Sequence, residues 1–237
     1  MPFTLSHPAA VLPIWRVGRP HLRLAALIIG SMTPDYEYFL RLYTVGRFSH
    51  SPLGLLTVCL PAGWLCLWLF DRYGRRGVQA LLPAAWTLPP PPFGPYPILA
   101  TSFALLLGAT SHVLWDGFTH PASWGTRLWP GLFTTMHVGP FTMPLFRLLQ
   151  HASTVVGLAV LGVAALLWAR EQPRVPAGEL AWRALVVLVV LGAAGLLNGA
   201  RFWGQGLGRV LVGGGVAVTF TVVAGLTVLG VLTPRPR

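Results

Sequence analysis

No lysine occurs in this chain, and only 6 of its 237 residues are acidic. Charged residues make up 10% of it, against about a quarter in an ordinary soluble domain. So little charge argues against a water-facing surface over most of the fold and for a bilayer as its solvent. Cysteine is nearly missing too. Cys59 and Cys66 fall in one apolar segment. On a helix they would stand about 10 Å apart along the axis, beyond disulfide reach. Neither belongs to a CxxC pair, so thiolate metal binding has no support. A basic tract is also absent. The 17 basic residues are all arginine and give a net charge of +11, yet they are scattered at the ends of apolar segments. That distribution excludes a phosphate-tracking groove, and with it nucleic acid as a partner. It suits anionic lipid headgroups instead, making membrane lipids the expected partner. The N-terminus lacks a signal-peptide pattern. "MPFTLSHPAAVLPIWRVGRPHLRL" carries prolines where an apolar core should be, so the segment is expected to be retained.

What is present is hydrophobic length. Hydrophobic residues are 54% of the chain and the mean hydropathy is +0.64. Apolar runs fall at roughly 52–70, 97–115, 152–169, 184–200 and 210–232, each near the length of a membrane crossing. Pro61 predicts a kink in the first. Residues 1–51 hold two pieces too short to span, "LSHPAAVLP" and "LAALIIGSMTPDYEYFL". The expected fold is therefore all-α. It is a polytopic membrane protein with about five transmembrane helices plus short N-terminal interfacial or re-entrant helices. Residues 1–150 would form a motif-bearing region with two spans, and 151–237 a three-helix transmembrane region acting as scaffold or packing partner. The prolines of 83–97 predict a stiff extended loop. "GLLNG" at 195–199 has the spacing of close helix packing. The glycines of "GQGLGRVLVGGG" lack the spacing of a phosphate loop.

Five alternating spans would sort the ionisable residues. His7, Asp35, His50, Asp116, His120, His137 and His151 all fall at one membrane face, with His112 one turn inside it. The arginines divide almost evenly between the faces, so they do not orient the chain. The stretch "GATSHVLWDGFTH" concentrates the pattern. His112, Asp116 and His120 recur every fourth residue, along one face of a helix that Pro121 should end. Neutral imidazole and ionised carboxylate are the standard donors for a zinc-like or manganese-like cation. An ionisable residue inside a span is costly and points to function. A plain hydrogen-bonded His–Asp pair is the simpler account of His112 and Asp116. Asp35 in "TPDYEYF" could cap a helix. His21, His137 and His151 read as hydrogen-bonded interfacial residues.

Four stretches, "FTLSHPAAVLP", "IGSMTPDYEYFL", "FSHSPLG" and "GATSHVLWDGFTHPASWG", resemble the bacterial membrane-protein family called domain of unknown function 4184. More distantly they are similar to inner-membrane proteins termed metal-dependent hydrolases, and to zinc-dependent phospholipase C. The resemblance covers roughly residues 1–135. It implies His7, Asp35, His50, His112 and Asp116 as metal ligands. Where the hydrolase-like family carries Asp-x-Asp-His after the proline, this chain reads Asp35-Tyr36-Glu37-Tyr38. The activity so implied is a membrane-bound, metal-dependent hydrolase. Its cofactor would be a divalent ion, zinc first, its substrate a lipid or lipid-linked phosphoester, and its location the bacterial inner membrane. His120 or Glu37 would serve as general base or orienting group. The alternative is a non-enzymatic membrane protein, a metal or proton transporter or an assembly factor, using the same cluster. A third reading gives the polar pairs only a helix-docking role.

Overall fold

The structure, a computed structural model, describes residues 3–19, 21–37, 48–88, 97–121, 123–200 and 207–233. The expected proline loop lies largely at 89–96, outside the described residues. The chain divides into two compact units. One comprises Met1–Glu37, Val45–Trp64 and Tyr96–Leu166, the other Tyr38–Thr44, Leu65–Pro95 and Leu167–Arg237.

The first unit opens with a 3₁₀ turn, Thr4–Ser6, and two short helices, α1 (Pro8–Gly18) and α2 (Leu24–Gly30). Pro8 begins α1 at the position where a missing N–H costs nothing. A second 3₁₀ turn, Thr33–Asp35, follows α2. Helix α3 runs Pro52–Leu81. Ser51 caps it by accepting the Gly54 N–H at 3.0 Å. The kink expected at Pro61 takes the form of a π turn just before it. Leu55–Cys59 is π-helical, and the Leu60 N–H reaches back to the Leu55 carbonyl. The wider turn absorbs the misfit of a residue that cannot donate. Helix α4 (Ile98–Thr119) ends where the backbone of His120 turns extended, ahead of Pro121. Then come α5 (Trp124–Leu128), a 3₁₀ turn (Pro130–Phe133) and an antiparallel hairpin of β1 (Thr135–Val138) and β2 (Phe141–Pro144). Val138 pairs with Phe141 across a turn in which Gly139 takes a positive φ of 56°. Helix α6 (Leu145–Arg170) starts directly after β2.

The core of this unit is the crossing of α2 and α4. Ala26, Leu27, Ala104, Leu105 and Ala109 are buried there. A Cβ on Gly30 would run into the Leu105 carbonyl, and one on Gly108 into the Leu27 carbonyl. Two glycines thus let the helix backbones touch, the small-residue route to close packing that needs no hydrophobic drive.

In the second unit, α7 (Ala177–Ala200) packs on α8 (Leu207–Leu232), with Gly195 against Gly214. Three part-buried side chains there donate to backbone carbonyls. Arg183 donates to the Ala80 carbonyl at 3.0 Å, Trp86 to Pro173 at 2.9 Å and Arg76 to Thr233 at 3.1 Å.

The chain is mostly helical, and the hairpin makes it not purely so. Among the described residues four helices are long and apolar enough to cross a membrane: Pro52–Leu81, Ile98–Thr119, Leu145–Arg170 and Ala177–Leu197. The fifth expected span falls on α8, whose described apolar part, Ala217–Leu232, is a shorter helix. The first and third helices extend beyond the apolar runs that announced them. Asp71 and Arg75 pair at 3.3 Å within α3, which lets the helix continue through "DRYGRR".

Candidate metal centre

Three chain segments build the site, all within the first unit. The turn after α2 supplies Asp35, and the turn before α3 supplies His50. Helix α4 supplies His112 and Asp116, one turn apart on its buried face. Around Asp35, His50, His112 and Asp116, one ligand atom from each lies within 4.8 Å of every other. The four nitrogen–oxygen separations are narrower still. His112 Nε2 is 3.3 Å from Asp116 Oδ2 and 3.5 Å from Asp35 Oδ1. His50 Nε2 is 3.6 Å from Asp116 Oδ2 and 3.8 Å from Asp35 Oδ1.

Most of these separations are too long for hydrogen bonds. They match another geometry. Two ligand atoms each about 2.1 Å from a tetrahedral zinc ion stand about 3.4 Å apart. The lone pairs are also otherwise unused. Two of these atoms, His112 Nε2 and Asp35 Oδ1, are buried with no hydrogen-bond partner among the described residues, while the unpartnered Asp116 Oδ1 faces His7. Buried polar atoms are almost always paired, so two orphans 3.5 Å apart need a reason. Charge gives the same answer. Two buried carboxylates about 5 Å apart repel by roughly 3–4 kcal/mol at an effective dielectric of 20. A divalent cation between them removes that cost. The donor set of two imidazoles and two carboxylates therefore could hold a metal ion of the hard or borderline class.

The surrounding atoms fix the donors. His112 Nδ1 lies 2.7 Å from the Ser31 carbonyl, which holds the proton on Nδ1 and frees Nε2 as a ligand. Thr4 Oγ1 donates to Asp35 Oδ2 at 2.5 Å, leaving Oδ1 to face the centre. Ser49 Oγ stands between Glu37 Oε2 at 2.9 Å and His50 Nδ1 at 3.2 Å. Thr4, Ser31 and Ser49 carried no signal in the sequence. The contribution of Ser31 is a backbone carbonyl, which any residue type could have supplied.

The remaining predicted residues fall as follows. The ring of His7 stacks on His112 with centroids 3.7 Å apart, and its Nε2 is 3.6 Å from Asp116 Oδ1. Burial, reinforced by His112 beside it, pushes the His7 imidazole down to about 3. A neutral ring there presents a lone pair or an N–H to the carboxylate, without a full charge. Without a metal, burial pushes the Asp35 carboxyl up, but His112, when protonated, pulls it below its ordinary value. His120 Nδ1 lies 3.6 Å from Asp116 Oδ2 and 3.1 Å from the Asp116 carbonyl. Burial lowers its imidazole below the ordinary value. Its Nε2 is buried without a hydrogen bond among the described residues. Glu37 stands one hydrogen bond further out, behind Ser49. His137, whose Nδ1 meets Thr142 at 3.1 Å in the hairpin, lies outside the cluster, as do His21 and His151.

Residues 1–233 match the family described as Domain of unknown function (DUF4184). The chain belongs to that family. Nothing matches among curated proteins or among solved structures. What is established for this DUF4184 protein is a buried His/Asp group that could hold a metal ion, set in a largely helical chain with four candidate membrane-crossing helices.

Proposed function

We propose that this DUF4184 protein is an integral membrane protein of the bacterial inner membrane that hydrolyses a lipid or lipid-linked phosphoester at a metal centre, zinc first. The observation that carries the reading is the convergence of Asp35, His50, His112 and Asp116, whose nitrogen–oxygen separations of 3.3, 3.5, 3.6 and 3.8 Å lie near a tetrahedral edge. Those four residues would hold the ion, with His7 as a further ligand. When bound, the ion would supply Lewis-acid polarisation of the scissile bond and activation of water. The chain supplies the rest. Ser31 and Thr4 fix the donor atoms of His112 and Asp35. His120 stands at the partly exposed edge of the cluster with Nδ1 toward Asp116, suited to relay a proton. Glu37 orients His50 through Ser49.

Access supports a reaction centre. The side chains of His50 and His120 are 17% and 25% exposed, while those of His112 and Asp35 are fully buried. A catalytic site keeps an open position, and the edge between His50 and His120 offers one. The near-complete burial of His7, Asp35, His112 and Asp116 supports a second reading, a non-enzymatic centre in which the ion is carried or simply clasps the N-terminal segment to α4. Elemental analysis of detergent-purified protein comes first, wild type beside the His112→Ala, Asp116→Ala double variant. Stoichiometric metal lost in the variant supports the centre; none in either, after metal-supplemented growth, rejects it. Hydrolysis of phospholipids by wild type but not by Asp116→Ala then separates enzyme from clasp.

A further inference from the structure

The segment between α4 and α6 carries a feature the metal centre does not use. It leaves α4 at the rim of the site, where Thr126 Oγ1 donates to the His120 carbonyl at 2.9 Å. One side of it is anchored. Phe118 of α4 packs against Trp124 and Trp129 with centroids 5.0 and 5.7 Å apart, and Phe133 meets Phe146 of α6 at 5.4 Å. Leu132 is buried, and the Leu145 N–H donates to the Thr134 carbonyl at 2.9 Å. The other side is open. Leu128 is 68% exposed, Trp129 59%, Phe133 49%, Val138 45% and Phe141 61%. Water does not reward such a surface, and a domain that faced water would seldom keep one contiguous.

Two facts say what covers it. The segment starts at the end of one apolar helix of membrane-crossing length and finishes at the start of another, so chain connectivity keeps it at a bilayer surface. Its charge is also of one sign. Arg127 and Arg147 are exposed, and no carboxylate occurs between Asp116 and Glu171. Apolar side chains flanked by exposed arginines, with tryptophans between, match the layered chemistry of a phospholipid surface: acyl chains, then interface, then anionic phosphates.

We propose that Ser123–Pro144 is a lipid-engaging lip. Val138 and Phe141 at the hairpin tip, with Leu128 and Trp129, sit among the acyl chains of the leaflet, and Arg127 and Arg147 hold anionic headgroups beside the rim of the metal centre. The lip places His120 at headgroup depth and favours an anionic amphiphile as the molecule that reaches the site. This deepens the proposed function, on which the substrate class rests; the immersion of the lip does not depend on it.

The test uses the full chain in vesicles of phosphatidylcholine and phosphatidylglycerol. Spin labels are placed singly at Val138→Cys and Phe141→Cys in a background with Cys59 and Cys66 replaced by serine. Collisions with oxygen, which partitions into acyl chains, are compared with those of a water-soluble nickel chelate. Val160→Cys in α6 and Arg174→Cys in the loop after it set the lipid and water limits. The lip is supported if both hairpin labels show an oxygen-to-nickel ratio several-fold above that of Arg174→Cys. Labels open to nickel, or shielded from both reagents as under a partner protein, overturn it. In native mass spectrometry, Arg127→Gln with Arg147→Gln should lower retention of phosphatidylglycerol relative to phosphatidylcholine by up to about fivefold per arginine. Unchanged retention overturns the headgroup role. Metal content measured on the same samples separates the outcomes. A failed lip leaves metal bound, and a failed metal centre leaves the labels immersed.

Discussion

Gly108→Ala should cripple the metal centre from outside it. A Cβ at that position would lie 2.7 Å from the amide nitrogen of Ser31. Ordinary contact between such atoms is about 3.5–4.0 Å. The obstacle is helix backbone, which has no rotamer to escape into, so α2 and α4 must part by about 1 Å. Ser31 is the residue whose carbonyl receives His112 Nδ1 at 2.7 Å. Adding that shift takes the bond to about 3.7 Å, past the hydrogen-bonding range. Overpacking of this kind costs about 1–3 kcal/mol. Loss of the partner that orients a ligating histidine weakens metal affinity about 10–100-fold. The affinity would be measured in detergent by competition with a chromogenic chelator, and the stability by thermal unfolding with and without chelator. Gly162→Ala in α6, where an added Cβ meets nothing within 4 Å, is the matched control. If Gly108→Ala binds metal like wild type and melts at the same temperature, the α2–α4 crossing does not set the site and the reasoning fails.

Thr4→Val keeps the shape of the side chain and removes the donor to Asp35 Oδ2. It should weaken metal binding about tenfold or more at unchanged helix content, and an unaltered affinity would remove Thr4 from the site's support. In the metal-free protein His7 titrates near 3 when folded and near 6.5 when unfolded. The unfolded chain then binds the extra proton between those values, so the His7 contribution to stability is flat above pH 6.5 and declines toward pH 3, by at most about 1.4 kcal/mol per pH unit. Denaturant midpoints across that range check this; His7→Gln should flatten the slope, and a slope that survives the substitution belongs to another group. Chelator should lower the melting temperature of wild type and leave the His112→Ala, Asp116→Ala variant where it was. Equal shifts in both would place the metal elsewhere.

Local spacing carried much of this architecture in advance. His112 and Asp116 are a helical turn apart whatever the fold, and Pro121 could only stop α4. Apolar length marked the four helices that are long enough to cross a membrane. Other elements depended on tertiary context. The first apolar run ended near 70, yet the helix continues to Leu81, with Asp71 and Arg75 paired inside it. Nothing in "TMHVGPFTMP" announced a hairpin, which forms where Gly139 turns the chain back on itself. The meeting of His7 and Asp35 with α4 rests on two glycines whose role appears only when the helices cross. His137 and His151 were expected at the same membrane face as the cluster, yet they lie outside it, because sorting by apolar length does not fix which side chains meet.

The stacking of His7 on His112 has a bearing on how the chain is threaded into a membrane. If the four long apolar helices cross a bilayer, two groups in contact lie on the same side of it, so the number of crossings between residue 7 and residue 116 is even, whichever way the protein faces. α3 and α4 satisfy that parity as a pair, and α1 and α2 must then turn back without crossing. Insertion is thereby coupled to chemistry. A chain that inserts one of these helices and not the other cannot close the His/Asp cluster, and it would be left with unpartnered ionisable groups that mark it as misassembled.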